Sequence, residues 1–167
     1  MSLKLSTPRT ELSRPVVPVG VLVVDDQRVV REGLARLISC AQMALRFVST
    51  ASNCAEALSA AARLRPEVVV LDVDLAGEDG LALIPQLMQS AGVLVLTSHG
   101  DPATRARALL LGARAFIEKH QPAADLLEAI VQIGHAQMRG EQAPGPQGTS
   151  SHLAVAASSA APTQAQP

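Results

Sequence analysis

Seven side chains in this sequence are of types that could handle phosphate and a hard cation: Asp25, Asp26, Asp72, Asp74, Thr97, Ser98 and Lys119. Each follows a short apolar run. "VLVV" leads into Asp25 and Asp26, "VVVL" into Asp72 with Asp74 two on, "VLVL" into Thr97 and Ser98, and "AFIE" into Lys119. Carboxylate oxygens suit a hard divalent cation, and Mg²⁺ is the one expected here. An ionised Asp is also a nucleophile towards phosphorus and yields an aspartyl phosphate. A cation, an ammonium and a hydroxyl could then hold the phosphoryl oxygens, so catalysis would rest on position and charge neutralisation. Taken singly these residues mean little. A pair of acids after a strand is often a helix N-cap, a Thr-Ser pair is often a turn, and a lone lysine is usually solvated. The joint pattern carries the weight.

Such a site needs a scaffold that brings four run ends together. The apolar runs at 19–24, 67–71 and 93–96 read as buried strands, 45–49 as an edge-like strand and 113–117 as a fifth. Helical patterns lie at 28–39, 53–64, 81–90, 101–112 and 122–134. In 28–39, Val30, Leu34, Leu37 and Ile38 share a face; in 122–134, Leu126, Ile130 and Ile133 do. Asn53 with Glu56 resembles a capping box, and Asp101-Pro102 is a helix start closed by Gly112. Pro85 is a flaw that shortens or kinks its helix. Strands and helices alternate strictly, and several strands are apolar on both faces. This predicts an α/β fold, a doubly wound five-stranded parallel sheet with helices on both sides. Ligands of such folds bind beyond the carboxyl ends of the strands, where the acids, the hydroxyls and Lys119 gather.

Composition narrows the function classes. The chain has 167 residues, 48% hydrophobic and 17% charged, which suits one domain with length to spare. It has two Phe, no Tyr and no Trp, so the core must come from Val, Leu, Ile and Ala. A formal net charge of −1 gives no global attraction to nucleic acid or membranes. Lys119 is the only lysine besides Lys4. Cys40 and Cys54 lack metal-ligand spacing and read as reduced thiols. No apolar run is long enough for a membrane span or a secretory signal, so the expected location is the cytoplasm. Residues 1–17 read as a flexible arm, 18–138 as the domain, and 139–167 as a disordered low-complexity tail.

The segments "VLVVDDQRVVREGL", "VVVLDVDLAGEDGL", "VLVLTSHGDPATRARALLLGARAFIEKH" and "LLEAI", in this order and spacing, resemble the receiver domain of two-component response regulators. The third stretch is most similar to the NarL/LuxR-like subfamily. The resemblance implies a flavodoxin-like strand order of 2-1-3-4-5. It implies phosphorylation of Asp72 by a sensor histidine kinase or phosphotransfer protein. It casts Asp26 as a direct Mg²⁺ ligand, Asp25 as acting largely through water, and Asp74 as giving a backbone carbonyl. Thr97 becomes the switch hydroxyl, Lys119 the phosphoryl-binding lysine and Phe116 the switch aromatic. No substrate turnover is expected beyond self-dephosphorylation, and a homodimer is left open. Two departures stand out: Ala76 replaces the usual Pro of the turn after the phosphoacceptor, and His120 replaces the Pro that often follows the lysine. No DNA-binding domain is visible in the roughly 30 residues after the domain, so no DNA binding is expected of this chain alone. Two alternatives remain. One is a phosphatase of haloacid-dehalogenase type, echoed by "DVD", but the acid pair here precedes that motif rather than following Lys119. The other is a truncated transcription regulator.

Overall fold

Valine-rich runs with apolar residues at both odd and even positions can be buried only between two layers of helices. The computed structural model of the chain, which describes residues 17–140, has this arrangement. The sheet is built of β1 (Val19–Val24), β2 (Leu45–Ala51), β3 (Val68–Leu71), β6 (Gly92–Thr97) and β7 (Ala115–Glu118). All its pairings are parallel, in the order β2-β1-β3-β6-β7. With the two-residue strands β4 (Asp74–Leu75) and β5 (Glu78–Asp79) set aside, that is the expected 2-1-3-4-5. Every residue of β1, β3 and β6 is buried, and β2 is an edge strand with intermediate exposure along much of its length.

The pleat splits the core in two. Val21, Val23, Val68, Val70, Leu94 and Leu96 face α1 (Arg28–Cys40) and α5 (Ala123–Met138), against Ile38, Leu126, Ile130 and Ile133. Leu22, Val24, Val69, Leu71, Val93 and Val95 face the other way, towards α2 (Cys54–Leu64), α3 (Ile84–Leu87) and α4 (Pro102–Leu110). On that side Ala57, Ala60 and Ala61 are the buried residues of α2, so small side chains allow this helix a close approach to the sheet.

The helix starts follow local chemistry. Asn53 Oδ1 accepts from the Glu56 N–H at 2.9 Å, while Glu56 reaches back to the Ser52 N–H at 2.8 Å, closing the box one residue early. Asp101 caps α4 through the N–H groups of Ala103 and Thr104, with Pro102 in the first turn.

Three local readings need correction. The helix expected over 81–90 is a 3₁₀ turn, Gly80–Leu83, followed by only four residues of α3. The helix is shortened as the proline implied, and Pro85 lies in the first turn of α3, a position that tolerates its missing N–H. The second is α5, which runs to Met138, past its expected end at 134. The third is the β4–β5 hairpin, which was not foreseen. Its loop, Ala76 and Gly77, has φ of 57° and 86°, the two positive values of a type I′ turn. Ala in that region costs about 1 kcal/mol. The hairpin closes tightly, for a Cβ on Gly80 would meet the Asp72 carbonyl oxygen at 2.2 Å. The arm expected at 1–17 and the tail expected at 139–167 lie almost wholly outside the described residues.

Candidate functional site

The sheet fixes the chemistry-bearing residues by continuing its hydrogen bonding one step past each strand. The Asp25 N–H donates to the Ala51 carbonyl at 3.2 Å, Asp72 N–H to the Val24 carbonyl at 2.9 Å, and Lys119 N–H to the Thr97 carbonyl at 2.7 Å. Backbone positions are therefore set by the ladder and not by loop conformation.

Three carboxylates converge there. One oxygen from each of Asp25, Asp26 and Asp72 lies within 4.8 Å of the others. Asp25 is 1% exposed and Asp72 7%. Carboxylates this buried need compensation. Lys119 provides it for two of them: its Nζ donates to Asp25 Oδ2 at 2.7 Å and to Asp72 Oδ2 at 2.6 Å. The remaining oxygens take backbone donors. Asp25 Oδ1 accepts from Gln27 N–H at 2.9 Å, and Asp72 Oδ1 from Val73 N–H at 2.7 Å. Among the described residues no buried side-chain polar atom lacks a hydrogen-bond partner.

One ammonium shared by two acids leaves a charge imbalance. Burial is the largest influence on Asp72 and raises its pKa above the ordinary value; the Lys119 hydrogen bond and charge oppose this, and the Asp25 charge adds to it. For Lys119 burial acts downward, but the hydrogen bonds to Asp25 and Asp72 and their charges outweigh it, so its pKa is raised. The acid is held short of full neutralisation while the lysine is held charged. A hard cation fits that donor set. Ligand oxygens around Mg²⁺ at about 2.1 Å sit roughly 3 to 4 Å apart, a small closure from the present spacing.

A pH dependence follows. A raised folded pKa means that the folded state holds the Asp72 proton more tightly than the unfolded chain. Asp72 thus favours folding most below the unfolded carboxylate range. That contribution declines as pH rises from the unfolded value to the folded one, then stays level. Glu56 and Asp101, whose pKa values are lowered by hydrogen bonds, act with the opposite sign, so the test is the difference: in a chelator, thermal melts across this interval should show wild type losing stability relative to Asp72→Asn as pH rises. Identical profiles would mean that Asp72 is no more strained folded than unfolded.

The other expected residues are placed as follows. Asp74 is exposed, and its carboxylate accepts from Gly77 N–H at 2.9 Å, so its side chain belongs to the hairpin and not to the acid cluster. Thr97 is 4% exposed, and its Oγ1 accepts from His99 N–H at 3.2 Å, inside the turn that leaves β6. Phe116 sits opposite Val95 in the β6–β7 register, 5% exposed, with the Arg105 guanidinium 5.4 Å from its ring centroid. Two contacts escaped the sequence reading. Arg31, on α1, donates from Nη1 to the Asp25 carbonyl at 2.6 Å and the Asp26 carbonyl at 3.3 Å. The Ala76 N–H donates to Asp26 Oδ2 at 3.2 Å. An Ala-Gly pair amid acids is a weak turn signal; Arg31 carries no signal beyond its place on an amphipathic helix.

The family model for the response regulator receiver domain matches residues 21–131. The chain belongs to the response-regulator receiver family. This receiver is 34% identical over 118 residues to the transcriptional regulatory protein LnrK of Bacillus subtilis (strain 168), covering 69% of this chain and 53% of that protein. It is 37% identical over 113 residues to a protein-glutamate methylesterase/protein-glutamine glutaminase of Anaeromyxobacter dehalogenans, covering 66% of this chain but 33% of the relative. Among solved structures, the NarL receiver domain from Mycobacterium tuberculosis matches with TM-score 0.65 and 28% identity, covering 71% of this chain and 97% of that one. A Burkholderia pseudomallei response regulator, described with a phosphorylated aspartic acid, calcium ion and citrate, matches with TM-score 0.62 and 30% identity over 73% of this chain and 72% of its own. The receiver spans about half the length of LnrK. The haloacid-dehalogenase alternative is not favoured, since one receiver match runs unbroken from the acid pair past Lys119. Among the described residues no helix is long and apolar enough to cross a membrane.

Proposed function

We propose that Asp72 accepts a phosphoryl group from the phosphohistidine of a sensor kinase or phosphotransfer protein, with Asp25 and Asp26 holding Mg²⁺. The observation that carries this reading is Lys119 bridging Asp25 and Asp72 at the carboxyl edge of the sheet. An Asp72 carboxylate oxygen attacks phosphorus, the P–N bond to histidine breaks, and the histidine nitrogen leaves with its electron pair. Asp72 starts from a buried, aimed position and needs little reorganisation. Lys119 is within reach of the new phosphoryl oxygens once its bond to Asp72 Oδ2 is exchanged. Mg²⁺, when bound, would supply positive charge against the oxygens of the transferring group. The solved relative described with a phosphorylated aspartic acid and a calcium ion supports both assignments by analogy. Turnover is limited to hydrolysis of the protein's own acyl phosphate, the setting is the cytoplasm, and output is contact with a partner or a second copy. The test is incubation with a small phosphodonor and Mg²⁺. Intact mass should rise by one phosphoryl group, and an excess of chelator should prevent this.

The signal is proposed to leave through Thr97 and Phe116. For the Thr97 hydroxyl to meet a phosphoryl oxygen it must give up its hydrogen bonding within the turn to His99. That turn leads to Asp101 and so to the start of α4, which carries Arg105 over Phe116. Such a change is a shift between existing arrangements, not a new fold. With Mg²⁺ and beryllofluoride, amide resonances over 97–120 should move in wild type and move less in Thr97→Ala. Equal responses in the two proteins would reject this route.

A further inference from the structure

The turn after Asp72 has a feature that the acid cluster alone does not explain. Ala76 takes a positive φ of 57°, which a side chain rarely adopts without compensation. Its N–H points across the site to Asp26 Oδ2, 50 residues away in sequence, at 3.2 Å. Proline could do neither: its ring fixes φ near −65° and it has no N–H. Of the three clustered acids, Asp26 is the one that Lys119 does not reach, since the lysine bonds go to Asp25 and Asp72. Asp26 is held instead by two groups outside the cluster. Arg31 binds its carbonyl and the Ala76 amide binds its carboxylate.

The hairpin is itself anchored. The Gly80 N–H donates to the Val73 carbonyl at 2.8 Å, Asp74 accepts from Gly77 N–H, and Asp79 forms an ion pair with Arg107 of α4. The amide therefore comes from a closed turn fixed at both ends.

We propose that the Ala76 amide is a positioning group for Asp26: by holding Oδ2 it fixes the orientation of the carboxylate before a cation binds. This rests on the reading of the acids as a cation site. A ligand carboxylate held by an outer hydrogen bond loses less freedom on binding, and such partners commonly matter 10- to 100-fold in metal affinity.

The experiment measures Mg²⁺ dissociation constants by calorimetry for wild type, Ala76→Gly and Ala76→Pro. Alongside these, amide exchange at residue 76 is read in metal-free wild type and Asp26→Ala. Ala76→Gly keeps the N–H and relieves the backbone, so its affinity should stay within about twofold of wild type, while Ala76→Pro should bind about tenfold more weakly. Melting temperatures distinguish lost positioning from a damaged fold. The Ala76 amide should be slow to exchange in wild type and faster in Asp26→Ala, a readout that needs no metal. An unchanged constant in Ala76→Pro, or unchanged exchange in Asp26→Ala, overturns this inference alone. A wild type that does not bind Mg²⁺ overturns the cation reading, and this inference with it.

Discussion

Asp72→Asn should reduce phosphoryl labelling by a small phosphodonor to background without unfolding the protein. The substitution keeps the shape of the side chain and removes the charge that makes it a nucleophile. Folding should survive for a reason visible in the site. Asp72 is a buried acid whose pKa burial raises, sharing one ammonium with Asp25. A neutral amide in its place leaves Lys119 paired one-to-one with Asp25. The metal-free variant should therefore melt no lower than wild type near neutral pH. Labelling that persists in Asp72→Asn would place the acceptor elsewhere. A large drop in melting temperature would show that the Asp72–Lys119 bond stabilises the fold more than burial of its charge costs.

Lys119→Met should act in the opposite way. The apolar stem is conserved in size, but two buried carboxylates lose the one cation bridging them. Removing one partner of a buried ion pair typically costs 3–5 kcal/mol; the site opens on the sheet edge, so about 2–4 kcal/mol is expected here. In a domain of this size that lowers the melting temperature by roughly 10 °C. With the acids acting as the proposed cation site, Mg²⁺ should recover part of the loss, since a ligand of the folded state stabilises it and this one would bring positive charge. Phosphorylation should slow by about 100-fold or more, the usual effect of losing a preorganised group that meets developing charge. The diagnostic measurement is the melting temperature of Lys119→Met with and without Mg²⁺. If wild type and variant gain the same number of degrees from Mg²⁺, the lysine and the cation do not share these acids.

The pattern of strand ends made the grouping of Asp25, Asp26, Asp72 and Lys119 readable in advance. A buried parallel strand is an unbroken apolar run, and β1, β3 and β6 are such runs, so their last residues could be counted off directly. The segment 74–87 was not readable in that way. Two-residue strands have no period, and "LALIPQLMQS" has helical spacing although the chain first tightens into a 3₁₀ turn under the Asp79 cap. The orientation of Asp74 depends on that hairpin, so it stayed hidden with it. The holding of Asp26 was hidden too, because a backbone amide in a left-handed turn leaves almost no trace in residue type.

Both phenylalanines of the chain lie under arginine guanidinium groups, Phe47 under Arg46 on the edge strand β2 and Phe116 under Arg105 beside α4. With no tryptophan or tyrosine present, the protein is nearly silent to intrinsic fluorescence. The same scarcity makes it well suited to fluorine spectroscopy. Uniform incorporation of 4-fluorophenylalanine places two fluorine nuclei in the molecule. Phe47 sits on the far edge strand, near the Arg46–Glu67 ion pair, and gives an internal reference. Phe116 sits under Arg105 of α4, on the route proposed for the signal, and gives the reporter. One strand of the sheet would calibrate the other, in a single one-dimensional spectrum.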